Sequence, residues 1–152
     1  MKLNEGRGIY DLCKKLWPIT RSITGVGVRE TLKIIQQEIP NLTIHEVPTG
    51  TQCFDWKIPK EWNIKSAYII DPNGKIIIDF RDNNLHVVSY SVPINKTVSL
   101  SELQQHLYSL PEQPDAIPYV TSYYEERWGF CITENQRKVL VEGDYQVCIN
   151  RT

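Results

Sequence analysis

Long apolar runs are missing from this 152-residue chain: no aliphatic stretch exceeds three residues, as in Ile76-Ile77-Ile78. A membrane-spanning helix needs roughly 18 consecutive apolar residues, so no such helix is predicted. The first seventeen residues, MKLNEGRGIYDLCKKLW, contain no apolar h-region, and the expected location is the cytoplasm. A basic block is also absent. Lysine and arginine number 17 against 18 acidic residues, for a net charge of −1, which argues against a surface that tracks nucleic-acid phosphates. No C-x-x-C pair links Cys13, Cys53, Cys131 and Cys148, so buried or half-buried free thiols are expected rather than a disulfide framework.

The common chemical motifs are missing as well. His45, His86 and His106 are the only histidines, and no H-x-x-H or H-E-x-x-H occurs. A metal site needs ligands at converging spacings, so each imidazole is read as a surface or packed group. No G-x-S-x-G elbow or glycine-rich phosphate loop is present. The residues alone therefore supply no catalytic and no metal motif.

What is present is an ordinary composition, 41% hydrophobic and 23% charged, which suits a globular fold with a sizeable core. Ile9, Leu12, Cys13, Leu16 and Trp17 make a helical stripe over residues 8–17, stopped by Pro18. A loop with Gly25 and Gly27 leads to a second helix, whose predicted buried face is Val28, Leu32, Ile35 and Ile39 before Pro40. From residue 42 the period changes to two. LTIHEV, WNIKSAYII, KIIIDF and LHVVSYSVPI predict three or four antiparallel strands between residues 42 and 95. Asp71-Pro72-Asn73-Gly74 is turn chemistry for a bulged hairpin. Ser99 with Glu102, and Thr133 with Gln136, have capping-box spacing ahead of two short helices. Between these helices PEQPDAIP is expected to be irregular, and DYQVCIN alternates as a final strand. A terminal apolar strand wants a neighbour, which predicts that the chain is a truncated part of a larger domain.

Two places hold candidate functional groups. Arg21 and Ser22 precede the second helix, where they either bind an anion such as a carboxylate or cap that helix. Residues 120–131, VTSYYEERWGFC, concentrate Tyr123, Tyr124, Arg127, Trp128 and Phe130. Aromatic groups with polar tips suit a peptide or glycan surface, and a subdomain interface equally well.

Taken together, LWPITRSITGVGVRETLKII, EVPTGTQCFDWKIPKEWNIKSAYI, NNLHVVSYSVPI and QPDAIPYVTSYYEERWGFC resemble the N-terminal part of a bacterial and archaeal family of zinc aminopeptidase-like proteins. Its members are often labelled as domains of unknown function or polysaccharide-biosynthesis proteins. The resemblance covers nearly the whole chain. It implies an α+β arrangement: the N-terminal helices and a returning strand of an aminopeptidase-like α/β sandwich, with an inserted antiparallel β subdomain and, in full-length members, a C-terminal winged helix. The implied division is 1–45 for the helical start, 46–118 for the insert, and 119–152 for a truncated return to the sandwich, with DYQVCIN as one of its strands.

The family's zinc ligands begin in a His-x-Cys-His-Pro block followed by an Asn-Asp-Asn block, and neither block occurs here. Zinc chemistry, with metal-activated water attacking a peptide carbonyl, is thus implied for a full-length relative and for no residue of this chain. The implied partner is the remainder of the aminopeptidase-like domain. The cleft candidates are Arg21, Ser22, Tyr123, Tyr124, Arg127 and Trp128, with a peptide or glycan as substrate. Phe130 and one tyrosine are expected to pack, leaving Arg127 and the other tyrosine facing the cleft. Two further readings stand beside this one: a free-standing peptide- or glycan-binding module, and a structural or oligomerisation subdomain.

Overall fold

The computed structural model describes residues 2–122 and 125–152. The chain forms two compact units that divide between Asn63 and Ile64.

In the first unit, α1 spans Lys2–Leu16, longer than the stripe predicts but ending where Pro18 denies the next turn an N–H donor. The stripe itself is not covered: Ile9 is 66% and Trp17 65% exposed, and Cys13 is exposed rather than half-buried. Helix α2 spans Val26–Glu38. Val28, Leu32 and Ile35 are half-buried, Ile39 is exposed, and Thr31 is the residue of this helix that is fully covered.

The strand expected over residues 42–47 is not formed. Leu42 instead closes the helix end, its N–H donating to Ile39 O at 2.9 Å while its carbonyl accepts from Gln36 Nε2 at 2.9 Å. Backbone groups spent on a helix terminus are lost to a ladder. A two-stranded hairpin follows, β1 (Gln52–Cys53) against β2 (Trp56–Lys57).

The second unit is built on a four-stranded antiparallel sheet. Its strands are β3 (Ile64–Ile70), β4 (Ile76–Asp79), β5 (Ile94–Ser99) and a last strand, Asp144–Arg151, in the order β4, β3, last strand, β5. The β3–β4 turn matches its sequence chemistry. Asp71 Oδ1 accepts from the N–H groups of Asn73 and Lys75 at 2.9 and 2.8 Å, Gly74 has φ +82°, and the register slips between Ile69 and Ile70. Those donors, Lys75 N–H foremost, hold the Asp71 carboxyl below the usual carboxylate range.

Helix α3 (Leu100–Gln105) is capped by Ser99, whose hydroxyl accepts from Glu102 N at 3.3 Å. Then come β6 (Leu107–Tyr108), paired in parallel with β7 (Phe130–Cys131), and α4 (Glu134–Lys138), with a complete Thr133–Gln136 capping box. The last strand is therefore β8. Period-two alternation puts Ala67, Ile69, Ile78, Val98, Tyr145, Val147 and Ile149 on one sheet face, all buried, along with Leu103, Phe130 and Ile132. Each large apolar side chain so buried contributes about 1.5–3 kcal/mol.

Two expectations are corrected. First, β8 lacks no neighbour: it is a central strand, hydrogen-bonded to β3 on one side and β5 on the other. Second, residues 85–94 are not one strand. Asn83 Oδ1 accepts from Leu85 N at 3.0 Å and caps a 3-10 turn over Asn84–His86. Ser91 then folds back on Val88 O through both its N–H (3.1 Å) and its hydroxyl (2.6 Å), with Tyr90 at φ +67°. Side-chain hydrogen bonds to nearby backbone again replace a continuous ladder.

Candidate functional site

The stretch 120–131 is held between two strips of backbone in the second unit. On one side Ser89 N donates to Val120 O (2.9 Å), Ser122 N to Ser89 O (2.8 Å), Val92 N to Arg127 O (3.0 Å) and Val88 N to Gly129 O (3.1 Å). On the other, Phe130 N donates to His106 O (2.8 Å) and Ile132 N to Tyr108 O (3.0 Å). Gly129 sits where the strips are closest. A Cβ there would stand 2.8 Å from Tyr108 Cε2, 3.0 Å from His106 O and 3.0 Å from Val88 Cγ2.

This clamp decides the fate of the aromatic groups. Phe130 is fully buried, in line with the packing expected of it. Trp128 is 8% exposed; the His106 ring stacks on it at 3.7 Å and 16°, and Phe130 meets it edge-on at 6.4 Å. His106 Nδ1–H donates to Trp128 O at 3.1 Å, and Lys96 Nζ, ion-paired with Glu102, lies 5.8 Å over the indole ring. An indole so enclosed offers no open face on which a sugar ring stacks. Tyr123 and Tyr124 lie outside the described residues.

Arg127 remains partly open. Its Nη2 donates to Thr121 O at 2.9 Å, its Nη1 reaches Tyr108 Oη at 3.4 Å, and the guanidinium lies 5.7 Å over the Tyr108 ring. Its Nε is buried, ion-paired with Glu125 Oε2 at 3.7 Å, and has no hydrogen-bond partner among the described residues. The side chain is 38% exposed, and any planar acceptor such as a carboxylate would have to meet it at the Nη groups rather than at the buried Nε.

Arg21 and Ser22 belong to the first unit, and neither caps α2. Arg21 Nη1 donates to Leu16 O at 2.6 Å, closing the end of α1, and the Ser22 hydroxyl bonds to Thr24 O. The cap of α2 comes from Asn63, 37 residues away, whose Oδ1 accepts from Val26 N at 2.8 Å. Gly25 makes this possible with φ +113°, a left-handed region that favours glycine, and a Cβ there would stand 2.7 Å from Asn63 Oδ1 and 2.9 Å from Trp62 O. Nearby, Arg29 and Glu61 form a two-point pair at 2.5 and 2.9 Å, which lowers the Glu61 pKa.

The other titratable groups have structural partners. His86 is buried, with Nδ1–H donating to Cys131 O at 2.8 Å. Burial pushes the Cys131 thiol up to about 12. Asp79, buried, is gripped by Arg81 through Nε at 3.1 Å and Nη2 at 2.6 Å, which holds its carboxyl below the usual range. Among the described residues no three His, Cys, Asp or Glu side chains converge to hold a metal ion. Among the described residues no helix is long and apolar enough to cross a membrane. A groove of about 310 Å³ in the second unit is lined mainly by aliphatic groups, among them Ile76, Ile78, Leu107 and Val139. Neither Arg127 nor Trp128 lines it.

Comparison with known proteins gives three findings. A family model described as "Domain of unknown function (DUF2172)" matches residues 61–152, a span that coincides with the second unit from three residues before its start. A Clostridium acetobutylicum protein named "Putative polysaccharide biosynthesis protein with aminopeptidase-like domain" is 54% identical over 145 residues, which is 95% of this chain and 33% of that protein. The crystal structure of a "putative peptidase" from Clostridium acetobutylicum superposes with a TM-score of 0.92 at 53% identity, over 98% of this chain and 35% of the other. The chain thus spans about a third of the length of these relatives.

Proposed function

The chain belongs to the family described as a domain of unknown function (DUF2172), and from that membership we propose that it works as the N-terminal third of a zinc-dependent, aminopeptidase-like hydrolase of the cytoplasm. One observation carries the reading: near-complete coverage of this chain, at 54% identity, by a protein three times as long that is named for an aminopeptidase-like domain.

Zinc, when bound in such a hydrolase, supplies an activated water for attack on a peptide carbonyl. The residues described here do not fit that role, because no ligand group converges in them. The metal and the catalytic groups belong to the other two-thirds. The share of this chain is to form a wall of the substrate cleft and to position substrate. Arg127, whose guanidinium side chain is partly exposed, is the group best suited to meet a peptide carboxylate, through its Nη groups. Trp128 supports it from within the packed unit. Arg21 acts as a brace at the end of α1, and Ser22 closes the loop on Thr24 O, rather than forming an anion site.

Turnover of peptides with a free amino terminus tests the proposal, measured on the isolated chain and on the Clostridium acetobutylicum relative with this chain replacing its matched third. Activity in the longer protein alone is expected. In that protein Arg127→Ala is expected to raise KM several-fold with a smaller effect on kcat. Turnover by the isolated chain refutes the reading.

A further inference from the structure

The β1–β2 hairpin of the first unit presents a phenylalanine at its tip, and three observations on that residue do not fit a passive turn. Cys53 pairs with Trp56, so Phe54 and Asp55 form a two-residue loop. The first position of such a loop takes positive φ in both favoured turn types, and glycine, asparagine or aspartate is the usual occupant. Phe54 occupies it at φ +53°, a conformation unfavourable for a bulky side chain. The residue is also 95% exposed, the highest value among the described large hydrophobic residues.

The hairpin is braced as well. Gln52 Nε2 donates to Phe54 O at 2.8 Å behind the tip. At the base Gly50 N donates to Ile58 O (2.8 Å), Ile58 N to Thr51 O (2.9 Å) and Thr49 Oγ1 to Pro59 O (3.1 Å). Backbone strain and full apolar exposure at one residue, on a rigid support, both oppose stability of the chain by itself. Strain of this kind persists where the surroundings over-determine it, and it clusters at sites of recognition. A single exposed phenylalanine is unremarkable in isolation; one held in a left-handed turn by bonds on both sides of the loop is not.

We propose that Phe54 is an anchor: its ring seats in an apolar pocket on the part of the polypeptide that the relatives carry outside the third matched here. The occupant is argued from length, because about two-thirds of each relative lies beyond the match, so ample chain exists to receive the ring. The inference rests on the reading that this chain works within a longer protein, and it adds to that reading a specific point of attachment.

Phe54→Asn removes the ring and keeps a residue that tolerates left-handed backbone; Phe54→Leu keeps apolar bulk. Thermal unfolding is followed for both, in the isolated chain and in the relative carrying this chain in place of its matched third. In the isolated chain Phe54→Asn is expected to leave Tm unchanged or higher. In the longer protein it is expected to lower Tm by about 4 °C or more, with Phe54→Leu falling by less. An equal loss in both contexts shows that the ring packs within this chain and overturns the proposal. No loss in a longer protein that unfolds cooperatively overturns the anchor while leaving the longer-protein reading intact. A longer protein that does not unfold as one cooperative unit, even with Phe54 in place, overturns both.

Discussion

At the scale of the residue, the second unit is most sensitive where backbones crowd. Gly129 has no room for a methyl group against Tyr108, His106 and Val88. Gly129→Ala is expected to destabilise the chain by about 1–3 kcal/mol, as overpacking does, measurable as a lower denaturant midpoint at unchanged slope. Asp79 carries a pH dependence. Arg81 depresses its folded-state pKa below the unfolded value of about 3.9. Its stabilising contribution is therefore complete above pH of about 4 and disappears as the pH falls through the lower folded value. Asp79→Asn is expected to be less stable than the parent at neutral pH, with the gap narrowing under acid. A gap that stays constant from pH 7 to pH 3 contradicts this assignment.

Single-residue roles were the least legible part of the sequence. Arg21 and Ser22 stand where a cap belongs, yet the cap is Asn63, reached by a fold-back over 37 positions that no local pattern signals. For Trp128 the sequence allows a ligand surface and a subdomain interface equally, and only the approach of His106 and Lys96, both distant in sequence, shows it enclosed.

At the scale of the element, periodicity and punctuation located most pieces. Pro18 and Pro40 ended both helices, Asp71–Gly74 gave a bulged hairpin turn, and the Thr133–Gln136 box starts α4. The failures have one cause. In residues 42–47 and 85–94 alternation is present, but Gln36, Asn83 and Ser91 hydrogen-bond the backbone locally and no ladder forms through these stretches. Alternation reports which side chains can share a face, not whether the backbone has a partner strand. The cap from Asn63 gives a test at this scale. Asn63→Ala is expected to cost about 1 kcal/mol by leaving Val26 N–H without its acceptor. Backbone amide exchange should then accelerate in the first turn of α2 and stay unchanged in β3, β8 and β5.

At the scale of the whole molecule, topology decides what the strand pattern does not. β8 completes the sheet of β3, β4 and β5 from a distance of more than 40 residues. The unit it closes coincides with the family match at 61–152. The first unit has a different character, with Ile9, Tyr10, Trp17, Val26 and Phe54 all more than half exposed. Apolar surface of that extent is consistent with a chain that works against further polypeptide, as the relatives' threefold length suggests. The central claim is that metal and catalysis reside outside this chain. The zinc content of purified protein tests it most directly, measured on the isolated chain and on the relative carrying this chain in place of its matched third. The prediction is stoichiometric zinc in the longer protein and none retained by the isolated chain after dialysis. Stoichiometric, tightly held zinc in the isolated chain contradicts it.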